Sequence, residues 1–94
     1  MHLNPIIKVI GKREINILSC KIEGEVYFEN SQGHIIECEI HNSGSSGIRC
    51  NSSELEIQNC KVYKNYYHGL KSEENSKVKI INSKIYENGN NEGS

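Results

Sequence analysis

No aspartate, alanine or tryptophan occurs among the 94 residues, and proline occurs once, at Pro5. Alanine is the strongest helix former, so a chain that replaces it with 14 Ile and 12 Asn does not read as helix. With no aspartate, all 12 acidic residues are glutamate. An excess of one charge is also missing: 11 Lys plus Arg stand against the 12 acids, for a net charge of −1. That balance gives no electrostatic case for a nucleic acid or an anionic membrane as partner. There is no apolar run near the roughly 18 residues of a spanning helix. The start, MHLNPIIKVIGKRE, has no basic region, long apolar centre and small-residue cleavage site of a secretory signal. A soluble chain is expected, in the cytoplasm unless it forms part of a secreted protein.

What is present is repetitive. Ile and Val favour strands, while Asn and Gly favour the turns between them. The stretch LEIQNCKVYKN (55–65) has copies in INILSCKIEG (15–24), HIIECEIHNS (34–43) and VKIINSKIYEN (78–88). Ile17, Ile35, Ile57 and Ile80 open the motif at successive separations of 18, 22 and 23 residues. Cys20, Cys38, Cys60 and Ser83 follow three positions later, and Ile22, Ile40, Val62 and Ile85 two after that. A further strand precedes each copy: Ile7-x-Val9, Val26-x-Phe28, Ile48-x-Cys50 and Leu70-x-Ser72. Apolar and polar residues alternate within these strands, so one side is core and the other is solvent. The turns NSGSSG (42–47), NYYHG (65–69) and NGNNEG (88–93) punctuate the repeat.

Strands recurring about every 22 residues with no helix between them are too widely spaced for a hairpin meander. They fit a solenoid in which each repeat is one turn, stacked about 4.8 Å above the last, with equivalent residues forming columns. The expected fold is all-β: a right-handed single-stranded parallel β-helix of about four coils of roughly 22 residues. It forms one domain over 1–94, with coils near 6–14, 15–34, 35–54, 55–77 and 78–94.

The run GIRCNSSELEIQNCKVYKNYYHGLKSEENSKVKIINSKIYENGN resembles the right-handed parallel β-helix repeats of the pectate-lyase-like superfamily, in which Gly-Ile, Asn-Cys or Asn-Ser and a terminal Asn recur in each coil. The resemblance covers about residues 7–93. It implies the fold and leaves the activity open, because such repeats serve in polysaccharide lyases, hydrolases and epimerases, in tail spikes and surface proteins, and as scaffold modules. Lyase-like members carry their catalytic groups on one outward strand face. Here that face is Tyr27, Arg49 and Lys71, flanked by Glu29, Asn51 and Glu73. The enzymes of the superfamily rely on aspartate at this place, and this chain has none, so no catalytic residue is assigned and catalysis is not expected.

Several other groups have chemistry to weigh. Cys20, Cys38 and Cys60 match no zinc spacing and read as inward rungs of one ladder that Ser83 continues; Cys50 lies in a column with Phe28 and Ser72. Reduced thiols, no metal site and no cofactor are expected. On the outward side, Lys21, Glu39, Lys61 and Lys84 form one line and His34, Glu56 and Lys79 another. Tyr63 and Tyr86 lie one above the other beside His41 and Glu23. Candidate binding residues are therefore Tyr63, Tyr86, Tyr27, Arg49 and Lys71. Tyr66, Tyr67 and His68 make an aromatic turn, and Asn42, Asn65 and Asn88 are expected to stack at the turns.

A coil cut across its axis exposes backbone groups and apolar columns. The chain is thus expected to be a piece of a longer protein or a module that covers its ends by self-association. Two functions follow: a non-catalytic module that binds a protein partner or a second copy through the coil ends or an outward face, or a carbohydrate-binding or polysaccharide-processing fragment that takes an oligosaccharide.

Overall fold

The computed structural model describes residues 5–89. Twelve short strands lie on three faces. The first sheet holds β1 (Ile7–Ile10), β4 (Val26–Glu29), β7 (Ile48–Asn51) and β10 (Leu70–Glu73). The second holds β2 (Ile15–Leu18), β5 (Gln32–Ile36), β8 (Glu54–Gln58) and β11 (Lys77–Ile81). In the third are β3 (Lys21–Glu23), β6 (Glu39–His41), β9 (Lys61–Tyr63) and β12 (Lys84–Tyr86). Every neighbouring pair is parallel, and the chain visits the three sheets in turn, so each circuit is one coil of a β-solenoid with four turns. The described residues contain no helix.

The columns expected from the repeat are the observed registers. Ile17, Ile35, Ile57 and Ile80 stack, as do Ile22, Ile40, Val62 and Ile85. Val9, Phe28, Cys50 and Ser72 form a third column. Inward side chains of the two middle coils are sealed: Phe28, Ile35, Ile40, Ile48, Ile57 and Val62 have no exposed surface. Each coil, however, has three strands where the repeat suggested two. The Ile-x-x-Cys-x-Ile motif straddles a corner, its first Ile next to the last residue of one strand and its Cys in the corner just before the next. Segment boundaries drawn through the motif consequently fall inside β5, β8 and β11.

The corners explain this. A residue with positive φ pivots the chain at each one: Asn30 and Ser52 between the first and second sheets, Ser19, Glu37, Asn59 and Asn82 between the second and third, and Asn42, Lys64 and Glu87 after the third. This left-handed conformation costs an ordinary L-residue about 1–2 kcal/mol, and Asn tolerates it best. The next residue turns inward, and its backbone N–H donates to the side chain one coil further on. Ser31 donates to Ser53 Oγ at 3.1 Å and Ser53 to Ser76 Oγ at 3.1 Å. Cys38 donates to Cys60 Sγ at 3.5 Å and Cys60 to Ser83 Oγ at 3.0 Å. At the third corner Ser43 donates to Asn65 Oδ1 at 3.0 Å and Asn65 to Asn88 Oδ1 at 3.1 Å.

Corner length also sets the uneven repeat. Only Gly24 and Glu25 join β3 to β4, whereas 42–47 and 64–69 join the later pairs, and those four missing residues turn a separation of 22 into 18. Glu74 and Asn75 both have positive φ where the previous coil has Ser52 alone, and the extra residue makes 23.

Two ladder assignments change. Asn42 is the exposed pivot and not a rung; Ser43 occupies the inward place above Asn65. Cys20 stands in the Cys38–Cys60–Ser83 column but is exposed, because it lies in the first coil of the described residues, with no described coil below it. All four cysteines are free thiols.

Asn65 is fully buried and uses its whole amide: besides the two bonds above, its Nδ2 donates to Asn88 Oδ1 at 2.9 Å and to the Ile40 carbonyl at 3.4 Å. A Cβ at Gly47 would come within 2.7 Å of that Nδ2, so the glycine makes room for the rung. Asn65→Ala should therefore strand the Ser43 N–H and lower stability by about 2–4 kcal/mol in urea denaturation, against no more than about 0.5 kcal/mol for the exposed Asn16→Ala.

Candidate functional site

On the first sheet, the outward strip Tyr27, Arg49 and Lys71 stacks as expected, but most of it is used internally. Tyr27 is 8% exposed, not open to solvent, because the Arg49 guanidinium covers its ring at 4.0 Å. Its hydroxyl donates to Glu29 at 2.8 Å. Arg49 also donates through Nε and Nη2 to Glu25 at 3.2 and 3.4 Å, and the Ser45 hydroxyl donates to the same carboxylate at 3.2 Å. Glu25, which the sequence did not single out, is buried in the short first corner with Arg49 as its counter-charge. Only Lys71 of the strip stays exposed, 3.7 Å from Glu73.

The second sheet presents the line His34, Glu56 and Lys79, with His34 Nε2 3.6 Å from Glu56. A shallow groove of mixed polarity runs beside it over Gly33, Leu55 and Val78. On the third sheet three rings form a stack: His41 to Tyr63 at 5.2 Å and Tyr63 to Tyr86 at 5.3 Å, with interplanar angles of 11° and 13°. The Tyr63 hydroxyl donates to Glu39 at 3.0 Å. Tyr63 thus has both ring faces occupied, one by His41 and one by Tyr86. Tyr86 ends the stack among the described residues and is 39% exposed.

The described residues bring no three His, Cys, Asp or Glu together to hold a metal, and no helix is long and apolar enough to cross a membrane. The stacked parallel coils and their Ile, Cys and Asn ladders match a family model. It is described as a right-handed β-helix region and spans residues 6–93. The chain belongs to the right-handed β-helix family. No curated protein and no solved structure matches it.

Within this β-helix the inward apolar rungs are least covered in the last coil. Ile80 is 45% and Ile85 38% exposed, whereas Ile57 and Val62, the same rungs one coil earlier, are at 0%. In the first coil the rungs Val9 and Ile22 are 9% and 6% exposed and Ile17 is half-buried, while Cys20 and the flanking Ile6, Ile10 and Leu18 are exposed. Leu70, Ile85, Tyr86 and His68 line a recess of about 310 Å³ at that end. Of the candidate binding residues named from sequence, the structure brings only Tyr86 to this surface, together with the turn residues His68 and Asn88. Ile80 and Ile85 carry the same motif as the buried rungs, and only their place in the stack exposes them.

Three groups are held protonated beyond their ordinary range. Burial raises the Cys38 thiol above 9.0. Burial, then the bond to Glu29, raises Tyr27 above 10.0. The bond to Glu39 is the main cause for Tyr63, also above 10.0. A folded pKa raised above the unfolded one contributes stability that is complete below the unfolded value and is lost as pH rises through the folded one. The melting temperature should therefore fall as pH rises past about 9 and more steeply past about 10. Tyr27→Phe should lessen that alkaline slope; an unchanged slope would contradict the assignment.

Proposed function

We propose that this β-helix is a non-catalytic interaction module, a rigid scaffold that binds a protein partner through the end of its last coil. One observation carries the reading: Ile80 and Ile85 are exposed in columns that the middle coils seal completely at Ile35, Ile57, Ile40 and Val62. An edge of parallel strands is a template for further strands, and main-chain pairing with apolar rungs beneath it is an established way to bind a polypeptide. The corner amides support the same surface. Ser76, Ser83 and Asn88 stand where Ser53, Cys60 and Asn65 each donate to the following coil. A strand-bearing partner would supply those acceptors and cover the columns. The outward faces offer less, because Arg49, Tyr27 and Tyr63 already bind one another's neighbours.

A second reading, carbohydrate binding, is favoured by the Tyr86 ring, which ends an aromatic stack beside the recess at the same end. A one-coil peptide with the sequence of residues 48–69 and a panel of acidic oligosaccharides, each titrated by calorimetry, separate the two. Saturable peptide binding that Ile80→Lys abolishes is expected. Saturable oligosaccharide binding lost in Tyr86→Ala, without peptide binding, would select the second reading.

A further inference from the structure

We infer that the partner at the last coil is a second copy of this chain, docked last coil to last coil about a two-fold axis through Ile85; the inference rests on the interaction reading above and names its occupant. The asymmetry of the two ends selects this arrangement. Head-to-tail stacking would set Ile85 against Ile22, already covered at 6% exposed, and Ile80 against a half-buried Ile17. Joining the two last coils buries both sets of rungs at once, which is the closed, isologous solution that most homo-oligomers adopt.

The three-sided coil makes the pairing specific. A two-fold axis through the middle of β12 lays that strand antiparallel on its copy and exchanges the other two sides, so that β10 of one chain faces β11 of the other. At the axis Ile85 meets its own copy, inward side to inward side. Lys84 then lies opposite Tyr86 of the other copy, twice over, a cation beside an aromatic ring. Between β10 and β11 the inward Leu70 faces the inward Val78 and Ile80. On the outward side Glu73, with Glu74 at the following corner, faces Lys77 and Lys79. Among the described residues neither Lys77 nor Lys79 has an ion-pair partner. Apolar rungs meet apolar rungs, and the acidic side meets the basic one. Two copies joined this way form one continuous core of eight coils, four from each chain.

Sedimentation of the intact chain across a concentration series should show a monomer–dimer equilibrium that stops at the dimer, and Glu73→Lys should weaken it about tenfold, since opposed like charges replace a complementary pair. Mild oxidation of Ile85→Cys, in a Cys20→Ser background, should give a covalent dimer in high yield, because only a two-fold axis brings that position to its own copy. The Cys20→Ser parent should give none. Circular dichroism and melting of the same variants check that they fold, and cross-linking of Ile85→Cys is read only against the wild-type association state. A wild-type chain that stays monomeric at high concentration overturns the inference, and so does a dimer in which Ile85→Cys does not cross-link to itself. Open-ended growth would point to head-to-tail stacking and overturn it as well. If the wild-type chain is monomeric yet still binds the one-coil peptide, the interaction reading stands and the self-association falls.

Discussion

A backbone N–H at each corner needs an acceptor, and a side chain one coil further on supplies it. That single constraint fixes much of this molecule. Where the chain turns inward, sheet pairing cannot satisfy the amide, and a buried unpaired N–H costs about 1–3 kcal/mol. Ser53, Cys60, Ser76, Ser83, Asn65 and Asn88 each answer one such donor from the coil before. Their side chains in turn donate to carbonyls, as Asn88 Nδ2 does to Val62 at 3.1 Å. The rungs also hold register, since a slip of one residue would break every corner bond and send the apolar columns to solvent.

The apolar columns were legible in the sequence because an inward Ile recurs at a spacing that no turn disturbs. Ile35 and Ile57 are equivalent whatever the shape of the corner that follows them. The corners were harder to read. Ser31, Ser53 and Ser76 form a ladder as regular as the cysteines, yet serine is common in loops and nothing marked these three as buried. The one-residue offset between Asn42 and Ser43 is decided by which residue takes positive φ, and Asn suits either role, pivot or rung. Cys20 and Ile80 show the other limit. A repeat tells which residues are equivalent, but exposure depends on whether a coil lies above or below, so identical motifs are core in the middle and surface at the ends.

The candidate site followed the same pattern. Tyr27, Arg49 and Lys71 were correctly aligned on one outward face, and two of the three proved to be bound to each other and to Glu25. A salt bridge between Arg49 and a residue 24 positions earlier is invisible to a repeat, because only the shortened first corner places Glu25 beneath the guanidinium. Tyr63 and Tyr86 were aligned as well, and their stack directs attention upward along the axis, towards the outer ring face of Tyr86 and the apolar rungs that the described residues leave exposed. In a solenoid the sides are satisfied coil by coil, so unused binding capacity collects at the ends.

Hydrogen exchange of the corner amides in dilute protein tests that account most directly. Ser53, Cys60 and Asn65, which donate to the following coil, should exchange slowly and together with global unfolding. Ser76, Ser83 and Asn88, their equivalents in the last coil, should exchange much faster and become protected as the protein is concentrated. Equal, concentration-independent protection of the two sets would contradict it, since the last coil would then need no partner.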